Sequence, residues 1–415
     1  MTTRRWLFVG VLAAVFASHA ARAEVSSGEP AALLVFPLIS VDATTGADTL
    51  IELANADDGE IFVRCLYRTV QESAVAVTPF QIRLMANQPV AWQASAGLGA
   101  VPGDGGAIPA IGGPFTGALR CVAVDAAGAP VERNALFGSA TLEQVSTTPA
   151  MTVDSARYAA FGHDALPGRV DGDATLVLGG PAAEYAACPS SLLFQSFFDG
   201  AVIDLGVDAA VHRELATTLA VVSCAQSASA GTLSTVNFTV TNEFGQRLTF
   251  LRSISDQLVV PISRIDTETP AQSIFHVAQQ NSLAGTIRIT PQTGSGVLAI
   301  AVQTEIDPND SLRRHAAGLS AQLDGARMDA DIVELAAPTP TATPIATPTR
   351  TSPLPSCTGD CDGDGAVAIN ELIAGVNIAL GNQPVSSCAS VDADHDGQVA
   401  INELIAAVNN ALGTC

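Results

Sequence analysis

The chain has 415 residues, 48% of them hydrophobic and 14% charged, so it is long enough for more than one globular domain and too apolar to be a disordered chain. Acid outweighs base by a formal net charge of −22, and no Lys/Arg cluster follows the first few residues. That balance argues against nucleic acid phosphates and against an anionic lipid surface as partners.

Residues 1–23 read as a signal peptide. Arg4 and Arg5 give a positive start, Trp6 to Phe16 is an apolar run, and Ala21-Arg22-Ala23 fits a small-x-small cleavage site. The run is well short of the ~20 apolar residues that span a bilayer. The expectation is therefore cleavage and export, to the periplasm or out of the cell, with no membrane insertion afterwards.

Residues 24–335 are built from short runs rich in β-branched residues, separated by Gly, Pro, Asp and Asn. In Thr235-Val236-Asn237-Phe238-Thr239-Val240-Thr241 the apolar side chains fall on every second residue, which places them on one face of a strand. Similar runs are Leu33 to Ile39, Thr49 to Leu53, Ile61 to Tyr67, Leu119 to Val124, Thr175 to Leu178, Thr286 to Thr290 and Val297 to Thr304. The predicted fold is mainly β, with one or two antiparallel β-sandwich domains at 24–150 and 151–335 and a soft boundary near 146–170. Gly97 to Gly117 holds eight glycines and is expected to be a loop that crosses between sheets. Asp208 to Thr217 and Asp310 to Leu323 are expected to be short helices.

Eight cysteines, an even number in an exported chain, suit disulfides formed in an oxidising compartment. Proximity in sequence pairs Cys65 with Cys121 and Cys188 with Cys224. Cys357, Cys361, Cys388 and Cys415 crowd into the tail, where three connectivities are open and a clasp through Cys415 is one of them. No two cysteines have CxxC spacing, so thiolate zinc ligation is not expected.

The body carries no GxSxG elbow, no HExxH helix and no glycine-rich phosphate loop. His163-Asp164 reads as a surface turn, His212 and His276 are isolated, and Ser139 and Ser295 read as turn residues. Beyond the signal peptide there is one tryptophan, Trp92, with Tyr67, Tyr158 and Tyr185, a thin supply of flat faces for a sugar site. The carboxylate pair of a glycoside hydrolase comes from distant strands and is not legible in spacing. A non-catalytic body is the first expectation, and a carbohydrate-active enzyme or accessory protein the alternative.

Residues 336–356, AAPTPTATPIATPTRTSPLPS, alternate Pro with Thr and small residues and read as an extended linker. Beyond it lies a repeat at an offset of 32 residues, DCDGDGAVAINE from Asp360 to Glu371 and DADHDGQVAINE from Asp392 to Glu403. Each fits a twelve-residue calcium loop, with carboxylates at positions 1, 3 and 5, glycine at 6 for the sharp turn, and glutamate at 12 to supply two oxygens. Asp360, Asp362, Asp364 and Glu371 are the expected side-chain ligands of the first ion, with the Ala366 carbonyl. Asp392, Asp394, Asp396 and Glu403, with the Gln398 carbonyl, are those of the second. Bidentate glutamate and a carbonyl favour calcium over magnesium.

A helix is expected behind each loop, Glu371 to Leu380 and Glu403 to Leu412, stopped by Gly381 and Gly413. Leu372, Ile373, Val376, Ala379 and Leu380 should form an apolar stripe that the two repeats bury against each other, with Val367 and Val399 beside the join. The segments before the loops, Pro-Leu-Pro-Ser-Cys and Gln-Pro-Val-Ser-Ser-Cys, are not helical, unlike those of an ordinary EF-hand.

Two such loop-then-helix units after a Pro/Thr linker in an exported chain resemble a type I dockerin over residues 357–415. The resemblance implies a small helical module with two F-hand loops and two calcium ions. It further implies docking to a cohesin-type partner, as in the family that anchors polysaccharide-degrading enzymes to scaffolding proteins. Dockerins commonly end the loop with Asp, where this chain has Glu371 and Glu403. Their cohesin-reading positions 10 and 11, often Ser-Thr, are here Ile369-Asn370 and Ile401-Asn402, and by the resemblance their identity in both repeats would permit binding in two symmetry-related orientations. Isoleucine at position 10 is equally readable as core.

Overall fold

A computed structural model describes residues 25–71, 74–146, 152–197, 201–204, 212–228, 230–266, 284–307, 310–335, 357–362, 366–394 and 397–412. The expected signal peptide and linker, His276, Asp364, Asp396, Gly413 and Cys415 lie outside these residues. The chain divides into two compact units, Met1–Thr339 and Pro340–Cys415.

The first unit is mainly β, and its strand pairing is antiparallel. Each run singled out by its alternation lies inside an observed strand. A six-stranded sheet orders Ser26–Ser27, Phe161–His163, Leu33–Val41, Phe115–Val124, Ile61–Gln71 and Ala74–Leu84. Leu33–Val41 is buried almost throughout, as a central strand covered on both faces should be. It also touches Ala47–Asn55 and Leu136–Ser146, the middle strands of a four-stranded sheet that Pro89–Gln93 and Thr152–Ala159 complete. The glycine-rich loop runs from Pro89–Gln93 in one sheet to Phe115–Val124 in the other and sends Val101, Ile108 and Ile111 into the core.

Later in the chain, a five-stranded sheet orders Arg247–Ser255, Leu233–Asn242, Gly285–Gly294, Pro189–Phe197 and Gln322–Ala326. Another is centred on His212–Ser223 and Val297–Asp307. Two expected helices are strands instead. The described part of the first, from His212 onward, pairs with Ala201–Asp204 and Gln257–Pro261 on one side and Val297–Asp307 on the other. Asp310–Leu319 folds back on Val297–Asp307, and Gln322–Ala326 pairs with Pro189–Phe197. In both cases inter-strand hydrogen bonding overrides a local helical preference that amounts to a few tenths of a kcal/mol per residue, about 0 to 0.7.

Strands on either side of residue 150 share the six-stranded sheet, since Phe161–His163 pairs with Leu33–Val35. A buried polar seam adds to this. Arg68 Nη2 reaches Asp256 Oδ1 at 3.2 Å and donates to the Ala230 carbonyl at 2.7 Å, while Arg120 Nη1 donates to Gln226 Oε1 at 2.8 Å. Burial, with Arg68 nearby, lowers the Arg120 guanidinium to about 10.

Disulfides join Cys65 to Cys121, which face each other on adjacent strands, and Cys188 to Cys224, both as sequence proximity suggested. In the tail Cys361 is bonded to Cys388, and Cys357 is also disulfide-bonded. Such a set fits an oxidising compartment.

The second unit has two helices, α1 (Ile369–Ala379) and α2 (Ile401–Leu412), which touch each other. Ile378, Cys388, Val391, Val399 and Ala407 form its core, with Cys361, Leu372, Val385 and Leu404 packed against it. Gly381, at φ +74°, ends α1 in the left-handed conformation that glycine adopts most readily. The expected burial of the apolar stripe is only partly met. Leu372 is half-buried, whereas Ile373, Val376, Ala379 and Leu380 are exposed. The buried face of α1 is Glu371, Gly375 and Ile378, spaced i, i+4, i+7. Glu371 has to face the loop, and that requirement sets the rotation of the helix about its axis.

Candidate metal centre

Both loops bring their described carboxylates together. Ligand oxygens of Asp360, Asp362 and Glu371 lie within 4.8 Å of one another, and so do those of Asp392, Asp394 and Glu403. Two oxygens on one calcium ion, each at 2.3–2.6 Å, stand at most about 5 Å apart, so both clusters have the dimensions of a single-ion cage. Glu371 and Glu403 are each 4% exposed and Asp392 5%, while Asp362 and Asp394 are exposed.

What holds each glutamate in place is the loop backbone. Glu371 Oε1 accepts from Cys361 N at 2.7 Å and Asp362 N at 3.3 Å, and Oε2 accepts from Ala368 N at 2.7 Å. The second repeat copies this 32 residues on, with Ala393 N at 2.7 Å, Asp394 N at 3.4 Å and Ala400 N at 2.8 Å on Glu403. The last bond of each set satisfies an N–H at the start of the helix, the half of a capping box that glutamate at N3 contributes. Gly397 N, at loop position 6, donates to Asp392 Oδ2 at position 1 over 3.0 Å. Three donors take three of a carboxylate's roughly four lone-pair sites, so one site on Oε2 stays open to a metal while the latch holds. Sequence spacing pointed to glutamate as a ligand but not to this second role, although glutamate three residues after the helix start was a readable signal for it.

The tail from Cys357 to Cys415 contains eight acidic side chains and neither Lys nor Arg. Carboxylate and carbonyl oxygens make a donor set that suits a divalent ion with a preference for oxygen. Val367 and Val399, at loop position 8, are buried beside the join as expected. Ile369 and Ile401, at position 10, are each 77% exposed, which removes the reading of these residues as core.

Each helix also displays a stripe of exposed apolar side chains, Ile369, Ile373 and Val376 on α1 with Leu380 at its C-cap, and Ile401, Ile405, Val408 and Leu412 on α2, at equivalent repeat positions. Asn370 and Asn402 sit beside them, also exposed.

Several single residues of the body differ from their expected settings. His163 is fully buried rather than on a surface turn, with Nδ1 2.9 Å from the Ala186 carbonyl, and burial pushes its pKa down to about 4. It ends a strand that pairs at the core of the six-stranded sheet, which dipeptide chemistry does not reveal. Ser139 lies inside a strand, not a turn. Its hydroxyl donates to Glu52 Oε2 at 2.9 Å and accepts from Arg157 Nη2 at 2.8 Å, beside a groove of about 420 Å³ that Phe137 and Pro89 also line. Ser295 does lie in a turn, accepting from Ala225 N at 2.8 Å. The His212 side chain lies outside the described ones. Trp92, Tyr67, Tyr158 and Tyr185 are all buried, with Trp92 Nε1 donating to Tyr67 Oη at 2.6 Å, so none presents a face to a sugar.

No protein-family model and no curated protein matches the chain. Among solved structures, it is similar to PBSX exported protein XepA at 11% identity, over 68% of this chain and 85% of that one, with a TM-score of 0.15. A lectin from Pleurotus ostreatus in complex with GalNAc aligns at 10% identity, over 75% of this chain and 88% of that one, with a TM-score of 0.09. At such scores neither likeness bears on fold or function.

Proposed function

We propose that this is an exported protein whose C-terminal dockerin-like module holds two calcium ions and docks the β-rich body to a protein partner. The observation that carries the reading is the duplicated cage, three carboxylates within 4.8 Å of one another in each of two loops, built from matching residues. A calcium ion in each loop would neutralise carboxylates that otherwise repel, and would draw both ends of the loop onto the start of its helix. Asp364, Asp396 and the carbonyls of Ala366 and Gln398 would complete the two shells.

The exposed stripes on α1 and α2 supply the docking surface in this reading. They carry Ile, Val, Leu, Ala and Asn and no charged side chain, and contiguous apolar surface of that kind marks a site of protein association. A cohesin-type partner is the one the resemblance implies. It would meet an apolar, uncharged face, so the complex should tolerate high salt. The body we read as two sandwich-like halves joined through the Arg68 and Arg120 seam, serving as cargo rather than catalyst, because its largest aromatic side chains are spent on the core.

The test is calorimetric titration of calcium into the metal-stripped mature chain, followed by capture with immobilised cohesin. Two ions per chain with calcium-dependent capture supports the whole reading. Two ions without capture retains the metal centre and removes the cohesin. Absence of binding heat at millimolar calcium refutes both.

A further inference from the structure

The two loops are interlocked across the module. A Cβ on Gly359, the residue before loop one, would stand 2.6 Å from Ala407 Cβ on α2. One on Gly375 of α1 would stand 3.0 Å from Val391 Cγ2, and Val391 is the residue before loop two. Positions 359 and 391 are equivalent in the repeat, as are 375 and 407, so the approach to each loop is seated on the helix of the other repeat. Side-chain volume is exchanged between the two contacts, glycine against alanine in one and valine against glycine in the other. Gly359 N also donates to the Ser390 carbonyl at 3.2 Å, and Asn410 Nδ2 on α2 donates to the Thr358 carbonyl at 2.9 Å.

Besides the disulfide of Cys357, a covalent bond within the described residues fastens this arrangement. Cys361 lies between the ligand residues Asp360 and Asp362, and its own N–H is held by Glu371. Its disulfide partner Cys388 is 2% exposed in the core that the two repeats share. The equivalent positions in the repeat are Ala393 and Ser356, so the bridge occurs once and fastens the first half of loop one to the second repeat.

We propose that the Cys361–Cys388 disulfide couples the two metal loops, so that ordering either one by an ion prepares the other. The inference rests on the calcium reading above. Without the bridge, the ion has to work against more chain entropy to close loop one, and the approach to loop two loses a tether to its packed neighbour.

The experiment compares the metal-stripped full chain with the double variant Cys361→Ser/Cys388→Ser, by calcium calorimetry and by hydrogen exchange of α1 and α2. The parent is expected to take up two ions in a single steep transition. The variant is expected to bind in two separated steps, the loop-one step at least ten-fold weaker, with faster metal-free exchange in both helices. Superimposable isotherms and unchanged exchange overturn the proposal. If the parent takes up no calcium, the calcium reading fails and the coupling falls with it, whereas two ions bound by parent and variant with the same isotherm overturn the coupling alone. Should the double variant unfold the module, Glu403→Gln decides instead, because it keeps the disulfide and perturbs only loop two directly. A several-fold loss of affinity at loop one is expected there, and parental affinity at loop one overturns the proposal.

Discussion

Replacing Glu371 by Gln separates the two roles assigned to that side chain. Its carboxylate accepts three backbone N–H groups, at 2.7 and 3.3 Å on one oxygen and 2.7 Å on the other. Glutamine has a single carbonyl oxygen. If that oxygen keeps the Cys361 and Asp362 pair, the amide NH2 meets the Ala368 N–H donor to donor. A hydrogen bond to a charged group contributes about 1.5–3 kcal/mol, so the metal-free module should lose about 2 kcal/mol, or about thirty-fold in the opening equilibrium of α1. With calcium present the loss grows, because one negative charge disappears from the cage. At free calcium one hundred times the Kd, a bound ion contributes about 2.7 kcal/mol, and loop one would forfeit most of it. The assay is hydrogen exchange of the full chain with and without calcium, beside calorimetry. Stoichiometry should fall from two ions towards one, and exchange of Ile369–Ala379 should accelerate even without metal. Glu403→Gln should do the same to α2, since Glu403 accepts the matching bonds. Two ions bound at parental affinity with unchanged exchange would refute both roles.

Ile373→Asp combined with Ile405→Asp alters two side chains that are each 57% exposed, so stability should shift by no more than about 1 kcal/mol, about 0.5 for each, while capture by the partner is lost. Retained capture in the double variant moves the docking surface elsewhere. His163, buried with a pKa of about 4 against 6.5 when free, binds fewer protons folded than unfolded between those values. Stability should therefore rise with pH from about 4 to 6.5 and fall by up to about 3 kcal/mol on acidification through that window, a slope that His163→Asn should flatten in pH-dependent thermal unfolding. Asp256→Ala strands Arg68, whose side chain is 3% exposed, and should cost about 3–5 kcal/mol in denaturant unfolding, whereas a cost below 1 kcal/mol would show that water replaces the carboxylate.

Strands were legible wherever alternation was local, as in Leu233–Asn242, because one face of a strand is decided by residues two apart. Their partners were not, because pairing is decided by surfaces far away in sequence. Arg68 and Asp256 meet across 188 residues, and nothing near either predicts the other. The two misassigned helices failed for the same reason. His212–Ser223 carries Leu, Ala and Glu that suit a helix, yet three strands compete for its backbone, and that competition is invisible in a window of ten residues. The acidic cages were readable because the described ligands of each fall within twelve consecutive residues.

The rotation of α1 and α2 is the more instructive departure. A stripe of Leu, Ile, Val and Leu at helical spacing ordinarily faces the core, and on α1 most of it does not. Glutamate at loop position 12 is also the third residue of the helix, so once it turns inward the residues one helical turn along, Gly375 and then Ile378, must turn inward with it. Ile373, Val376 and Leu380 are left outside as a geometric consequence. The same constraint acts on α2, where Glu403 and Ala407 are buried and Ile405, Val408 and Leu412 are exposed. In the proposed reading the metal loop and the docking surface are thus one design: the ligand that closes the cage also chooses which side of the helix a partner meets. Moving glutamate out of position 12 should therefore disturb partner capture as well as metal binding, whereas changing the stripe should leave the metal in place.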